Sequence, residues 1–246
     1  MIEYANYFAQ LNKKHQYELL ELSVTRQFIR DELIDKLGAQ SDSVYVVADG
    51  RVKIFELTAD GKEVILWFCS PGEMFGFAET LVPSVFSGHQ IHAQACGRSE
   101  LLIIEKSDFE HFITENPDAV LPIVHLLGFR LREISEVLLD VTSSDVTSRV
   151  IRLLYRLGGL YGKPVKNGLR IDFLLTHQEM ADMIGTSRQT VTTVLGELKR
   201  KGFIETEQRT IVIRDMDSMQ GLLQRPSTMH AMRNGEISHR LAETEH

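Results

Sequence analysis

This chain of 246 residues has few of the sequence features that mark secreted proteins, membrane proteins or proteins with metal clusters. Its two cysteines, Cys69 and Cys96, are too few for a disulfide framework and fall short of the four thiolates that usually hold an iron–sulfur cluster. No run approaches the roughly 20 apolar residues of a membrane span, and the first twenty residues lack a signal-peptide pattern. We therefore expect a cytoplasmic protein without a membrane partner, in which both cysteines are free thiols.

The chain also has fewer basic than acidic residues, with 27 Lys and Arg, 34 Asp and Glu, and a net charge of −7. Read globally, this balance disfavours a nucleic-acid partner. Affinity for phosphate nevertheless depends on where the cations lie. The segment 176–214 has six Lys or Arg residues and five acidic residues, a local balance of +1. The charge contrast within the chain is weak but favours a basic surface there.

Residues 26–105 have the pattern of short strands separated by turns. Asp49-Gly50 and Asp60-Gly61 are hairpin dipeptides between β-rich runs, and Pro71-Gly72 and Ser87-Gly88 mark later turns. The clearest predicted strands are 44–47, 52–55, 64–68 and 100–104. Strands at this spacing are typical of a small antiparallel barrel or sandwich.

A helical period replaces the strand pattern from Ser107, which is placed to cap a short helix through Thr114, and Asn116-Pro117 then begins another helix. The apolar positions that follow are spaced 4, 3, 4, 3, 4, 3 and form a heptad seam. The seam residues are Val120, Val124, Leu127, Leu131, Ile134, Leu138 and Val141. We favour a parallel two-stranded homodimer contact; packing of this helix on its own barrel is the alternative.

Polar residues Thr142–Asp145 end the seam and predict a hinge. The next helix is predicted from Val146 to Leu157, closed by Gly158-Gly159. The expected organisation is a sensor barrel with flanking helices at 1–116, a dimerisation helix at 117–142, a DNA-binding domain at 143–214, and a partly loose extension at 215–246. One amphipathic stretch, Met216 to Leu223, lies in that extension.

Segment 176–213 has the pattern of a winged helix-turn-helix. Thr176–Glu179 forms a capping box for a helix that runs through Ile184 and stops at Gly185. Thr186–Gln189 is a second capping box, which opens a helix through Lys201. Runs 203–206 and 210–213 alternate as a hairpin wing. The residues predicted to hold the two helices together are Met180, Ile184, Val191, Val194, Leu195 and Leu198.

The early outward face of the second helix is predicted to contact DNA. Arginine can donate two hydrogen bonds to guanine, and glutamine suits the edge of adenine. The predicted base-reading residues are Ser187, Arg188, Gln189, Thr192 and Thr193. The predicted phosphate contacts, which position the protein without reading sequence, are Thr147, Thr186, Thr190, Lys199 and Arg209. A purely structural helical hairpin with a solvated polar face is the alternative interpretation.

A series of motifs in one order resembles the Crp/Fnr family of bacterial regulators over nearly the whole chain. The motifs are Tyr45–Val52, Asp60–Glu63, Pro71–Gly76, Asp145–Arg149, Leu175–Glu179 and Gly185–Val191. The resemblance implies an α+β fold with an N-terminal cyclic-nucleotide-binding-type antiparallel β-barrel, a long dimerisation helix and a C-terminal winged helix-turn-helix. It also implies a homodimer on a palindromic site in double-stranded DNA, and contact with RNA polymerase if the protein is an activator.

The chain departs from the cyclic-AMP-binding members of that family. Phe77 stands where those members have a ribose-binding Glu, His89-Gln90 aligns with their phosphate-binding Arg-Ser pair, and Ile134 aligns with their adenine-contacting Thr. Only Ser135 preserves a hydroxyl. Burial of an ionised phosphate without such donors is costly, so we expect neither cyclic AMP nor, with two cysteines, an iron–sulfur cluster. In the second helix, the family's common Arg-Glu…Arg set becomes Arg188, Gln189 and Thr193, which predicts different base preferences.

The sequence leaves open which effector the protein binds and whether it binds one. The predicted pocket consists of Phe75, Gly76, Phe77, His89, Gln90, Ile134 and Ser135, with Trp67 and Phe86 nearby. An uncharged or aromatic small molecule, no effector with control by abundance, thiol redox and haem are the alternatives. The possible haem or metal ligands are His89, His92, Cys69, Cys96 and His125.

Two other functions compete with a DNA-binding regulator. An enzyme would use His89, His92 and Glu79 on a bound metal, but no nucleophile–base spacing is visible, so we predict no catalytic site and no metal site. A regulatory subunit that pairs with protein and has lost DNA binding is the second competitor. The intact caps and Arg188 argue against it.

Overall fold

The computed structural model describes residues 6–37, 42–78, 91–207 and 210–223. The chain divides into two compact units, Met1–Val137 and Leu138–His246, which are described separately below. The predicted phosphate contact Arg209, the pocket residues Phe86, His89 and Gln90, and Glu79 of the enzyme alternative lie outside the described residues, as does the extension beyond Leu223.

The first unit contains two four-stranded antiparallel sheets, which pair in the orders β1-β8-β3-β6 and β2-β7-β4-β5. This arrangement confirms the predicted antiparallel β domain, and all four of the clearest predicted strands are present. The strands are β1 (Ser23–Phe28), β2 (Leu33–Leu37), β3 (Ser43–Asp49), β4 (Val52–Leu57), β5 (Glu63–Cys69), β6 (Met74–Phe75), β7 (Ile91–Ala95) and β8 (Ser99–Glu105).

Strand β3 shows how the unit is layered. Because successive side chains point to opposite faces of a strand, Tyr45 and Val47 pack in one cluster with Ile54 and Phe75. Val44 and Val46 join a second cluster on the other face, which includes residues of the surrounding helices. Both faces of β3 are therefore buried, and the alternating pattern of a solvent-facing strand is absent from its sequence.

The helices of the first unit flank the strands. They are α1 (Tyr7–Gln10), α2 (Lys13–Glu21), α3 (Lys106–Glu115), a 3-10 turn (Pro117–Ala119) and the long helix α4 (Val120–Ser143), which continues into the second unit. The prediction that Ser107 caps α3 is wrong, because α3 begins at Lys106 and Glu105, two residues earlier, occupies the capping position without a side-chain hydrogen bond. Pro117 does begin a helical turn, of the 3-10 type.

The long helix runs further than its sequence pattern indicated. The predicted interruption began at Thr142, but the helix includes Thr142 and Ser143, whose hydroxyls donate back to carbonyls one turn earlier. Such back-bonding lets short polar residues remain inside a helix. Ser144 and Asp145 alone separate α4 from the next helix, which Asp145 caps by accepting a hydrogen bond from the Ser148 amide at 3.0 Å.

The second unit contains a helix-turn-helix and a four-stranded sheet of order β11-β12-β10-β9. The wing hairpin, β11 with β12, is confirmed, and so is the short helix over Met216–Leu223. The elements are α5 (Val146–Tyr161), β9 (Gly162–Val165), β10 (Gly168–Ile171), α6 (His177–Ile184), α7 (Arg188–Arg200), β11 (Ile204–Glu207), β12 (Thr210–Ile213) and α8 (Met216–Leu223).

The prediction that Gly158-Gly159 closes α5 is wrong, since α5 continues to Tyr161. Gly158 is buried in the helix, and a Cβ atom there would lie 3.1 Å from a methyl carbon of Leu169 on β10. The glycine thus permits close packing of helix on strand. The hairpin of β9 and β10 was not predicted.

The described helices include none with the length and apolarity needed to cross a bilayer.

Candidate DNA-contacting helix and barrel cavity

The first helix of the helix-turn-helix is held at both ends. At its start, the Thr176 hydroxyl accepts from the Glu179 amide and the Glu179 carboxylate accepts from the Thr176 amide, which confirms the predicted capping box. At its end, Gly185 adopts a left-handed conformation with φ 63°, which glycine tolerates best. Arg149 from α5 donates to the Ile184 carbonyl at 2.8 Å, so the turn is fixed from outside as well.

The second helix begins one residue later than predicted. The Thr186 amide donates to the Ala181 carbonyl at 3.0 Å and therefore still belongs to the closure of the first helix. Ser187 is the cap: its hydroxyl oxygen accepts from the Thr190 amide at 3.1 Å and lies 2.8 Å from the Thr190 hydroxyl. The predicted capping box at Thr186–Gln189 is therefore wrong, although α7 itself is confirmed.

Helix α7 separates an apolar face from a polar one. Val191, Val194, Leu195 and Leu198 are all buried and pack against α5 and α6, as predicted. The opposite face exposes the predicted base-reading residues, namely Ser187, Arg188, Gln189, Thr192 and Thr193. This outward placement is the geometry that a helix needs to enter the major groove.

Two threonine hydroxyls on the exposed face bond within the protein. Thr192 donates to the Arg188 carbonyl at 2.9 Å, and Thr193 donates to the Gln189 carbonyl at 3.0 Å. His177, the first residue of α6, places its ring Nδ1 2.8 Å from the Thr192 hydroxyl oxygen. His177 is not among the predicted site residues, because a lone histidine at a helix start carries no motif of its own.

The predicted phosphate contacts are dispersed around this face. Thr147 is exposed in the first turn of α5, and Lys199 is exposed in the last turn of α7. Thr186 and Thr190 are half-buried at the junction of the two helices. Lys199 and Arg200 also lie where cations stabilise a helix C-terminus.

A buried carboxylate joins the end of the long helix to α5. Asp140, only 7% exposed, accepts from Arg156 at 2.6 Å and lies 3.2 Å from Arg152. The pairing bridges the short connection at Ser144 and Asp145, within the second unit. A 12- to 16-residue separation between partners on two helices gives no sequence signal, and this contact was not predicted.

The seam of the long helix is exposed in the single chain. Its seven residues range from 37% exposure at Val120 to 68% at Leu131. Other residues of the same helix, Ile123, Leu126 and Arg130, are buried against the rest of the first unit. Apart from Leu127, which also lines a cavity against the β domain, the seam is therefore not the side that packs on the chain's own barrel.

A cavity of about 60 Å³ lies between the β domain and the long helix within the first unit. The predicted pocket residues Phe75, Gly76 and Phe77 line it together with Trp67. The other lining residues are Met74, Ala78, Leu126, Leu127 and Arg130. Ile134 and Ser135 do not line the described part of this cavity: Ile134 is 46% exposed, and Ser135 donates to the Leu131 carbonyl.

Arg130 brings charge to the cavity wall. Its guanidinium donates to Glu73 at 2.6 Å and to Glu133 at 2.7 Å, and it lies 5.2 Å from the centre of the Trp67 ring. Burial raises the pKa of the Glu73 carboxyl, an effect that the neighbouring Arg130 opposes. The Cys69 thiol lies 3.9 Å from Arg130, and its burial raises its pKa to about 12.

The possible haem and metal ligands do not converge within the described part of the chain. His92 is buried beside Phe55, with ring centres 5.2 Å apart, and His125 lies 3.0 Å from the Gln10 side chain. Cys69 is buried and Cys96 is partly buried, and neither belongs to a disulfide. Among residues 6–37, 42–78, 91–207 and 210–223, no three His, Cys, Asp or Glu side chains are grouped as metal ligands.

Comparison with known proteins matches both units. Residues 25–116 match the model of the cyclic nucleotide-binding domain, and residues 148–222 match the model of the Crp-like helix-turn-helix domain.

Among curated proteins, the chain is 30% identical to a global nitrogen regulator of Synechocystis over 190 residues, which cover 77% of this chain and 84% of that protein. It is 27% identical over 192 residues to a CRP-like cAMP-activated global transcriptional regulator of Mycobacterium tuberculosis, with coverage of 78% and 84%. Among solved structures, a CooA mutant from Carboxydothermus hydrogenoformans is similar with a TM-score of 0.73 and 22% identity, over 84% of this chain and 90% of that one.

Proposed function

Because this chain belongs to the Crp/Fnr family of helix-turn-helix transcription regulators, we propose that it binds a palindromic DNA site as a homodimer. The main support for the proposal is that α7 has one buried apolar face and one exposed polar face. Its buried apolar face fixes it in the domain, while Arg188 and Gln189 are exposed on the other face at the capped end. A helix presented in this way reads bases with its N-terminal residues.

The predicted base-reading and phosphate-contacting residues have different proposed roles. Arg188 donates two hydrogen bonds to guanine, and Gln189 pairs with the edge of adenine. Lys199, Thr147, Thr186 and Thr190 contact phosphates and set the register, and Arg209 of the wing does the same. Ser187 has a structural role as the cap, and its contact with a base remains a prediction.

The seam of α4 supports the dimer. Apolar residues at heptad spacing on an exposed helix face are costly to leave in water, and a second copy covers them by parallel pairing. Two-fold symmetry then sets two recognition helices about 34 Å apart, one turn of the duplex. Such a dimer acts in the cytoplasm, and as an activator it would contact RNA polymerase.

We further propose that DNA binding requires no added effector and that cyclic AMP is not the ligand. Small-molecule sites usually measure about 300–1,000 Å³, whereas the cavity that the described residues line measures about 60 Å³. The described lining residues are mostly apolar, and the arginine among them, Arg130, is already paired with Glu73 and Glu133. A ligand-gated barrel is the second candidate, supported by the cavity itself, which lies where a ligand would contact both the β domain and the long helix.

Selection of bound sequences from a random duplex pool, with purified protein and no added ligand, tests this function. We expect an enriched palindrome whose half-sites are centred about 10 base pairs apart. Arg188→Ala is the matched variant and should relax the preference at one base pair of each half-site. A folded dimer that enriches no sequence would contradict effector-free binding. Failure to enrich after the barrel has also been screened with small molecules would favour the non-DNA-binding subunit or the enzyme.

A further inference from the structure

The outward hydroxyls of α7 are not available as donors to a base. A threonine has one hydroxyl proton, and both Thr192 and Thr193 donate theirs to backbone carbonyls one turn earlier. The major groove shows hydrogen-bond acceptors on guanine, adenine and thymine, and these need donors from the protein. Of the groups on this face, Arg188 and Gln189 supply donors, whereas the two threonines do not.

His177 fixes the orientation of Thr192 from the other helix. Its Nδ1 lies 2.8 Å from the hydroxyl oxygen of Thr192. In one ring tautomer the N–H donates to this oxygen while the hydroxyl donates to the Arg188 carbonyl, and in the other tautomer the hydroxyl donates to the ring. The oxygen is thus held from two sides. Threonine is branched at Cβ and its side chain is stiff at χ1, so fixing the oxygen also fixes the γ-methyl. The γ-methyl of Thr192 is therefore held in one orientation on a residue that is exposed to solvent.

We propose that α7 reads thymine through the γ-methyl groups of Thr192 and Thr193, and that His177 is a positioning residue for this contact. The C5-methyl of thymine is the apolar group that the major-groove edges offer, and threonine methyl is a suitable partner for it. This inference rests on the proposed function, because it applies only if α7 enters the major groove. It adds thymine positions to the guanine and adenine assigned to Arg188 and Gln189.

The test replaces thymine by uracil, one position at a time, in both half-sites of the selected palindrome. Uracil keeps every hydrogen-bonding group of thymine and lacks only the methyl. We expect affinity to fall about fourfold for each contact of this kind, the ratio that follows from burial of one methyl group. Fluorescence anisotropy with matched thymine and uracil duplexes measures the ratio.

Two substitutions of Thr192 separate its methyl from its hydroxyl. Thr192→Val keeps a γ-methyl in the same place, and we expect it to retain the uracil penalty. Thr192→Ser keeps the hydroxyl and should lose the penalty at one position of each half-site. His177→Ala should reduce the penalty at the position read by Thr192 and leave the one read by Thr193 unchanged. Gln178→Ala is its control, since Gln178 donates to Asp182 within α6.

The outcomes distinguish this inference from the function on which it rests. If no duplex is enriched, either without ligand or after the barrel has been screened with small molecules, the proposed function and the inference both fail. If a palindrome is bound but uracil causes no loss at any position, or if Thr192→Ser keeps the penalty and Thr192→Val loses it, thymine reading is contradicted while DNA binding stands. An equal change in His177→Ala and Gln178→Ala would remove His177 from its positioning role.

Discussion

Two arginines, one in each unit, have opposite environments. Arg130 in the first unit is 9% exposed and is paired with two carboxylates, while Arg188 in the second unit is exposed at the start of α7. A buried charge must be paired at its own site, so Arg130 is committed to the interior of the protein. An exposed arginine retains its donors for an incoming partner. Both residues are arginines, so their different roles follow from burial and pairing rather than from residue type.

Removal of Arg130 should produce the largest effect on the first unit. Arg130→Met leaves Glu73 buried without its partner, and breaking a buried pair in this way costs about 3–5 kcal/mol of unfolding free energy. Urea denaturation of the purified protein measures the loss. Arg132→Met is the matched control, because Arg132 lies on the same helix and is exposed.

The double variant Glu73→Met/Arg130→Met sharpens the result. Replacement of both partners by apolar groups is often neutral, so we expect most of the lost stability to return. A loss below about 1 kcal/mol in Arg130→Met, the range of a surface ion pair, would contradict the structural role given to Arg130.

The seam should be sensitive to charge where it pairs with a second copy. Leu131→Glu places a carboxylate at the most exposed seam position, and we expect the dimer dissociation constant to rise at least about 100-fold, or about 2.7 kcal/mol. Leu139→Glu is the control, since Leu139 is 63% exposed but lies off the seam. Sedimentation velocity over a concentration series measures both. Equal weakening by the two substitutions would mean that the heptad positions are not the interface.

Substitutions at the exposed residues Arg188 and Lys199 of α7 should alter DNA binding without altering the stability of the fold. Arg188→Ala should weaken binding to the selected site by about 1–3 kcal/mol and relax one base preference. Lys199→Ala should weaken binding about uniformly across sequences and lower the slope of log affinity against log salt by about 1. Titrations at several salt concentrations compare them. The same sequence-independent loss in both variants would contradict base reading by Arg188.

The smallest effect concerns the thiols. Burial raises the pKa of Cys69 to about 12, so this thiol stays protonated and weakly nucleophilic at neutral pH. Cys96 is partly exposed. Mass spectrometry after brief treatment of the native protein with iodoacetamide should find Cys96 modified and Cys69 modified only after denaturation. Rapid modification of native Cys69 would contradict this protection and would favour thiol redox as the signal sensed by the barrel.

Local patterns made the helix-turn-helix predictable, whereas contacts between residues that are distant in the sequence left no signal in it. Caps, a left-handed glycine and helical spacing act within a few residues, and they identified α6 and α7 almost to the residue. The error of one residue at Ser187 arose because Thr186 closes the preceding helix. Arg130 and Glu73 are 57 residues apart, and no periodicity links them. Gly158 carried a helix-ending signal that the packing of α5 on β10 overrides.

Symmetric reading by two copies of α7 is the central claim, and affinity for intact and half-scrambled palindromes tests it most directly. The measurement uses the full chain, no added ligand, and the selected duplex with one half-site randomised. We predict one dimer per intact duplex and a loss of at least about 100-fold on scrambling, since each mismatched base pair costs about 1–3 kcal/mol. Unchanged affinity for the half-scrambled duplex would contradict the account.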